Sequence, residues 1–290
     1  MTLRSGEQFV SSGDARICAE AFGRPDDPAV LLIGGAATSM DFWEDEFCSR
    51  LADADRYVIR YDLRDTGRST TYPVGEPGYT STELIADALV VLDGFSVGAA
   101  HLVGVSMGGA IAQRLALDHP QRAVSLVLQS TTPAVAAPQN RPELPPMEPR
   151  LAAVFAVDDD GPDWSDRAAA IEAMVEGERL FTGSVPFDAE RMRRIAARCY
   201  DRTTNMAAMQ TNHWILDSGQ PTQKQLNEIT APTLVLHGTE DPLFPYAHGE
   251  ALAAEIAHAR LVSLPGMGHQ YPPEPLWDLT IDEVIAHTSR

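Results

Sequence analysis

The spacing of hydrophobic positions changes period in a regular way along the chain. Residues 8–10 and 16–21 flank the polar run Ser11-Ser12-Gly13-Asp14, so the first segment predicts a β-hairpin. Ala29–Ile33 (AVLLI) is a continuous apolar run between Pro28 and Gly34, the pattern of a strand buried on both faces. A helix is expected over 42–54, a strand over Tyr57–Tyr61, and a helix over 82–92, where Leu84, Ile85, Ala88, Leu89 and Leu92 recur at helical spacing. Ala100–Val105, 107–119 and 124–129 then read as strand, helix and strand. Strands alternating with helices imply parallel βαβ units and a doubly wound sheet.

The pattern breaks near Thr132. Residues 131–149 hold six prolines, too many for a regular element. Residues from about 151 to 216 read as helical, with Phe155, Trp164, Ile171, Met174, Phe181, Met192, Ile195 and Trp214 as apolar anchors. After Pro221 the alternation returns: strand over 233–236, helix over 247–256, strand over Arg260–Leu264, helix over 276–287. The expected architecture is an α/β core of residues 1–132 and 222–290, interrupted after its sixth strand by an all-helical insert over 133–221.

Composition narrows the partners. The chain has 290 residues, 44% of them hydrophobic, enough for one large domain with a buried core. A net charge of −19 argues against nucleic acid and anionic membrane surfaces. Its basic side chains are 21 arginines and one lysine, Lys224, which with abundant Ala looks like GC-rich codon usage. Cys18, Cys48 and Cys199 are scattered and odd in number, so neither a disulfide framework nor a zinc site is expected. The amino-terminal run lacks the apolar core of a signal peptide, and the longest apolar stretch, 29–37, falls short of the ~20 residues of a membrane helix. A cytoplasmic protein without metal or cofactor is expected; on oligomeric state the sequence is silent.

The signature G-x-S-x-G occurs twice, centred on Ser96 and on Ser106. A nucleophile elbow needs a strand before the serine and a helix after it. Ser106 meets that requirement; Ser96 follows a helix and precedes a strand, and reads as a surface turn. On its own Ser106 also fits a helix N-cap. A serine nucleophile needs a base oriented by a carboxylate. Downstream, Asp241 follows one strand and His269 the next, so three residues fall at strand ends in the chain order Ser, Asp, His. Glu240 is the nearest rival to Asp241. His101 and His237 lie on strands near the site; His119, His248, His258 and His287 read as helix-surface residues. Acyl transfer also needs amide donors for the developing oxyanion: Met107 N–H supplies one, and Ala36 in the Gly34-Gly35-Ala36-Ala37 loop, or next Gly35, the other. Trp164, Met174, His213 and Trp214 are candidates to contact substrate. Met147, Met174, Met192, Met206 and Met209, adaptable packing residues, suggest a pocket for a bulky apolar molecule.

Together, the Gly34-Gly35-Ala36 loop, the stretch from Tyr61 to Ser69, the elbow, Asp241-Pro242 and the ending Pro265-Gly266-Met267-Gly268-His269 resemble the α/β-hydrolase superfamily over essentially the whole chain. Asp65 stands where the superfamily's Asp-x-Arg-Gly-x-Gly-x-Ser stretch has Gly, and Gly34 where many relatives have His. The variant around Asp65 is similar to that of aclacinomycin methylesterases, which remove a methyl ester from an anthracycline. The resemblance implies a serine hydrolase with an insert acting as lid, and with Asp62, Arg64 and Arg68 as an ion-pair network beneath the site. It also sets aside dehalogenases and epoxide hydrolases, which carry Asp at the elbow. The expected substrate is a small-molecule carboxylic ester. The same triad also serves amide, lactone or carbon–carbon hydrolysis or perhydrolysis, and a ligand-binding module with negligible turnover is the alternative of another class.

Overall fold

The periodicity resolves into one eight-stranded sheet in a computed structural model, which describes residues 2–139, 141–157 and 161–289. Asn140 of the proline-rich run and residues 158–160 of the expected insert lie outside the described residues. The core elements are β1 (Gln8–Ser12), β2 (Ala15–Phe22), β3 (Ala29–Ile33), α1 (Asp45–Ala52), β4 (Tyr57–Tyr61), α2 (Ser81–Gly94), β5 (Ala100–Val105), α3 (Met107–Asp118) and β6 (Ala123–Gln129). Four helices follow: α4 (Pro149–Phe155), α5 (Arg167–Leu180), α6 (Ala189–Arg202) and α7 (Met206–Thr211). The core then resumes with β7 (Thr233–Gly238), α8 (Ala247–Glu255), β8 (Arg260–Leu264) and α9 (Trp277–His287). The helix expected from residue 42 starts at Asp45, because Ser39 first caps a separate 3-10 turn over Met40–Phe42.

Strand order is β1-β2-β4-β3-β5-β6-β7-β8, antiparallel for β1–β2–β4 and parallel from β4 through β3 to β8. The AVLLI run explains its own burial: Leu31 and Ile33 pack with α2 and α3 on one face, Val30 and Leu32 with α1 and α9 on the other. β3 lies between β4 and β5, so the chain leaves it in one direction and later returns on the other side. The loops after β3 and β5 therefore diverge and leave a crevice at their carboxyl ends.

Between β6 and β7 the described residues form helices and no strand. α5, α6 and α7 share an apolar cluster of Met174, Val175, Ile195, Cys199 and Met209 that also takes in Phe42 of the core. A row of arginines on α6 ties it to the core: Arg191 to Glu44, Arg198 to Asp41 and Asp45, and Arg202 to Asp41, Asp62 and Glu7. Two histidines expected on helix surfaces are buried instead. His248 bonds Thr132 Oγ1 and the Pro145 carbonyl, and His287 bonds the Pro232 carbonyl, because neighbouring loops cover those helix faces. Among the described residues no helix is long and apolar enough to cross a membrane.

Arg202 meets two carboxylates, Asp41 and Asp62, that are 0% exposed. Replacing it (Arg202→Ala) strands buried charge and is expected to lower stability by about 3 kcal/mol. The same change at Arg167, whose side chain and that of its partner Asp201 are 52% and 56% exposed, is expected to cost about 1 kcal/mol or less. Urea unfolding followed by tryptophan fluorescence compares the two; equal losses would show that the burial of the ion pair is immaterial.

Candidate active site

The turn from β5 into α3 holds Ser106 at φ 51°, ψ −117°, a conformation costly for a residue with a side chain. Two glycines make it sterically possible. A β-carbon on Gly104 would collide with the Gly108 carbonyl, and one on Gly108 with the Ile33 carbonyl. Hydrogen bonds fix the rest: Ser106 N–H donates to the Gln129 carbonyl at 3.0 Å, and Thr131 Oγ1 donates to the Ser106 carbonyl at 2.8 Å. Ser96 lies in the turn after α2, as the sequence reading placed it.

Asp241 and His269 occupy the loops after β7 and β8. His269 Nε2 lies 3.0 Å from Ser106 Oγ, and its Nδ1 lies 2.9 Å from Asp241 Oδ2. Asp241 Oδ1 accepts the backbone N–H groups of Leu243 and Phe244. Burial alone would raise the Asp241 carboxyl; His269 and those amides outweigh it, and the carboxyl sits below its ordinary range. His237 lies behind, with Nε2 bonded to the Phe244 carbonyl and 3.6 Å from Asp241. The loop carrying His269 is stitched to the segment after α5. His269 N–H donates to the Phe181 carbonyl at 2.7 Å, Val185 N–H donates to the Gly266 carbonyl, and Ser184 donates twice to Glu240. Glu240 is thus turned away from His269 and toward the helical segment.

The loop after β3 is held from both sides. Gly35 N–H donates to the Tyr271 hydroxyl at 2.8 Å; that hydroxyl bonds Thr38 Oγ1, which donates to the Gly35 carbonyl, closing a ring. Ala37 N–H donates to His213 Nδ1, leaving Nε2–H to donate to the Arg64 carbonyl. Among the described residues, the N–H groups of Ala36 and Met107 make no hydrogen bond; Met107 follows Ser106 in the chain, and Ala36 lines the same cavity as Ser106. The competing candidate Gly35 has its N–H spent on Tyr271. Asp65 adopts φ 64°, the left-handed region that glycine enters without strain and Asp or Asn only occasionally. Its carboxylate accepts from Tyr72 N–H, Tyr79 Oη and Asn212 Nδ2, binding this loop to the segment after α7. Arg64 forks onto Asp87 and Arg202 onto Asp62, while Arg68 pairs with Glu7 near the surface.

A cavity of about 130 Å³ opens over Ser106 and His269, walled by Phe42, Met174, Gly177, Phe181 and Trp214. A larger one of about 540 Å³ adjoins it through Phe42, Glu178, Gln270 and Tyr271. Of the four candidates for substrate contact, Met174 and Trp214 line the smaller cavity. His213 does not: it is buried behind the loop after β3, with both ring nitrogens occupied. Nor does Trp164, which packs against the α5–α6 cluster. Of the five methionines, Met192 lines the larger cavity, Met206 and Met209 pack between helices, and Met147 lines neither cavity. Tyr271, Glu178 and Phe42 escaped the sequence reading. Tyr271, two residues beyond His269, offered the only positional signal. Among the described residues no three His, Cys, Asp or Glu side chains gather as a metal site would require.

A model of the alpha/beta hydrolase fold family matches residues 28–271. The chain is 34% identical to rhodomycin D methylesterase DnrP of Streptomyces peucetius, over 97% of both chains. It is 31% identical to the putative carbamate hydrolase RutD of Variovorax paradoxus, over 87% of this chain and 88% of that one. A crystal structure of a hydrolase from Pseudomonas aeruginosa PA01 superposes with a TM-score of 0.71 at 27% identity, over 99% of both chains.

Tyr271→Phe removes the clamp on Gly35 and is expected to lower kcat on an ester about tenfold, less than the roughly 10²–10³ of a lost oxyanion donor, with a smaller change in KM. Steady-state kinetics on one ester reads the split; an unchanged kcat would make the clamp irrelevant to turnover. Burial holds His213 and His101 near 4 against an ordinary 6.5, so both stay neutral in the folded chain. As pH falls from about 6.5 toward 4 the unfolded chain takes up protons that the folded chain refuses, and stability drops. Urea midpoints between pH 7 and pH 4 should therefore fall, less steeply in His213→Gln than in wild type. Parallel curves would place the loss elsewhere.

Proposed function

The chain belongs to the α/β-hydrolase family and is a serine ester hydrolase, and we propose that it cleaves a methyl ester of a bulky aromatic or polyketide-like acid, with Ser106, His269 and Asp241 as its catalytic triad. One observation carries the reading: an unbroken hydrogen-bonded line from Ser106 Oγ through both nitrogens of His269 to Asp241, beside two amide donors without partners. The relative with the name rhodomycin D methylesterase supports the methyl ester.

In this reading His269 Nε2 takes the proton from Ser106 Oγ as the oxygen attacks the ester carbonyl. The Met107 and Ala36 N–H groups bind the oxyanion, and Asp241, already negative, stabilises the imidazolium. His269 returns the proton to the departing alcohol. The acyl-enzyme is then hydrolysed by a water that His269 activates. Residues 133–221 serve as lid: α5 presents Ala173, Met174, Gly177 and Glu178 to the cavity, closing it over Ser106. The smaller cavity admits little beyond the ester group, so a bulky acid extends into the larger one, with which it shares four walls.

Intact-mass labelling with a fluorophosphonate tests the nucleophile. Wild type should gain one label and Ser106→Ala none. Hydrolysis of aromatic methyl esters should fall about 10⁴-fold or more in the variant. A wild-type protein that takes no label, or a variant that still does, would refute the assignment.

A further inference from the structure

Glu178 has no place in the chemistry above. The residue lines both cavities, and among the described residues no hydrogen bond or ion pair reaches its carboxylate. The other acids of α5 are served: Glu172 pairs with Arg193, Glu176 with Arg179, and Asp166 caps the helix. Neighbouring Arg179 lies over the Phe187 ring and does not turn back to Glu178. The cation in the wall of the larger cavity, Arg191, is already spent on Glu44 and the Pro272 carbonyl. That wall further carries Asp188, which caps α6, and Glu274 at the exposed mouth. Three acidic side chains, Glu178, Asp188 and Glu274, therefore stand against the single guanidinium of Arg191 in this wall, and the rings of Phe42, Phe187 and Tyr271 line it as well.

Glu178 is half-buried, and a carboxyl that gives up hydration with no protein partner in return is a candidate ligand-binding group. Burial pushes this one up to about 7, His269 opposing. A cation seated against it would restore the carboxylate and face the aromatic rings as well. We propose that Glu178 is a specificity-determining residue which receives a protonated amine carried by the acyl part of the substrate, held in the larger cavity while the ester lies at Ser106. The proposal rests on Ser106 being the nucleophile and adds the class of molecule that reaches it: an aminated ester.

The test uses two p-nitrophenyl esters of the same shape, 6-(dimethylamino)hexanoate, which is cationic, and 7-methyloctanoate, which is neutral. Wild type, Glu178→Gln and Glu178→Asp are compared by kcat/KM. The amide of Gln keeps size and hydrogen bonding but not charge, and the half-buried position has no protein partner to lose, so folding should be retained. The preference for the cationic ester over the neutral one should fall about tenfold or more in Glu178→Gln, chiefly through KM, and recover in part in Glu178→Asp. Calorimetry with N,N-dimethylhexylammonium on Ser106→Ala, with and without Glu178→Gln, reads the same contact without turnover and should show a loss of similar size. An unchanged preference, or equal ammonium affinity in the two proteins, overturns the proposal. Failure of wild type to hydrolyse even the neutral ester counts against the esterase reading alone, because the calorimetry still decides for or against Glu178.

Discussion

Much of the site depends on one backbone turn. Ser106 is held where a side chain strains the chain, at the point where β5 and α3 approach too closely for a β-carbon on Gly104. Gly108 lies under the Ile33 carbonyl, so the same approach ties the end of β3 to the start of α3. The crevice created by the strand order is thereby occupied on one side by the serine and on the other by the loop that begins at Gly34. The cavity that Ser106 shares with Gly35, Ala36 and Ala37 follows from that single crowded turn.

Charge is organised on a second principle. The chain is strongly acidic, yet several of its buried carboxylates meet an arginine: Glu20 with Arg60, Asp87 with Arg64, Asp62 and Asp41 with Arg202. Guanidinium forks suit these sites because they bind carboxylates bidentately and remain charged when desolvated. The scarcity of lysine, read from the sequence as codon usage, therefore coincides with a structural need. A lysine at Arg64 or Arg202 could not satisfy two acceptors with the same planar geometry.

Local patterns were legible in the sequence where they arise locally. The AVLLI strand, the strand–serine–helix order of the elbow, and an acid and a histidine at successive strand ends all depend on neighbours within a few residues, and each falls where it was expected. The misses share a different cause. His213 was read as a pocket residue because it lies in the helical segment, but its ring is used by Ala37 and Arg64, more than 140 residues away. His248 looked exposed on helical periodicity until the proline-rich run covered it. Between Gly35 and Ala36 the sequence offered only a ranking; the Tyr271 hydroxyl separates them by occupying one amide. Glu178 carried no motif at all, and its meaning lies in partners it lacks.

The stitches between residues 181–185 and the loops bearing Asp241 and His269 bear on how such enzymes diversify. The backbone of His269 is anchored by the carbonyl of Phe181, and Glu240, beside Asp241, is held by Ser184. The helical segment is therefore no interchangeable cover. Transplanting it from a relative would carry off part of the scaffold that aims the imidazole. New specificities in this lineage should arise more readily by exchanging single side chains along the inward face of α5 than by recombining whole segments.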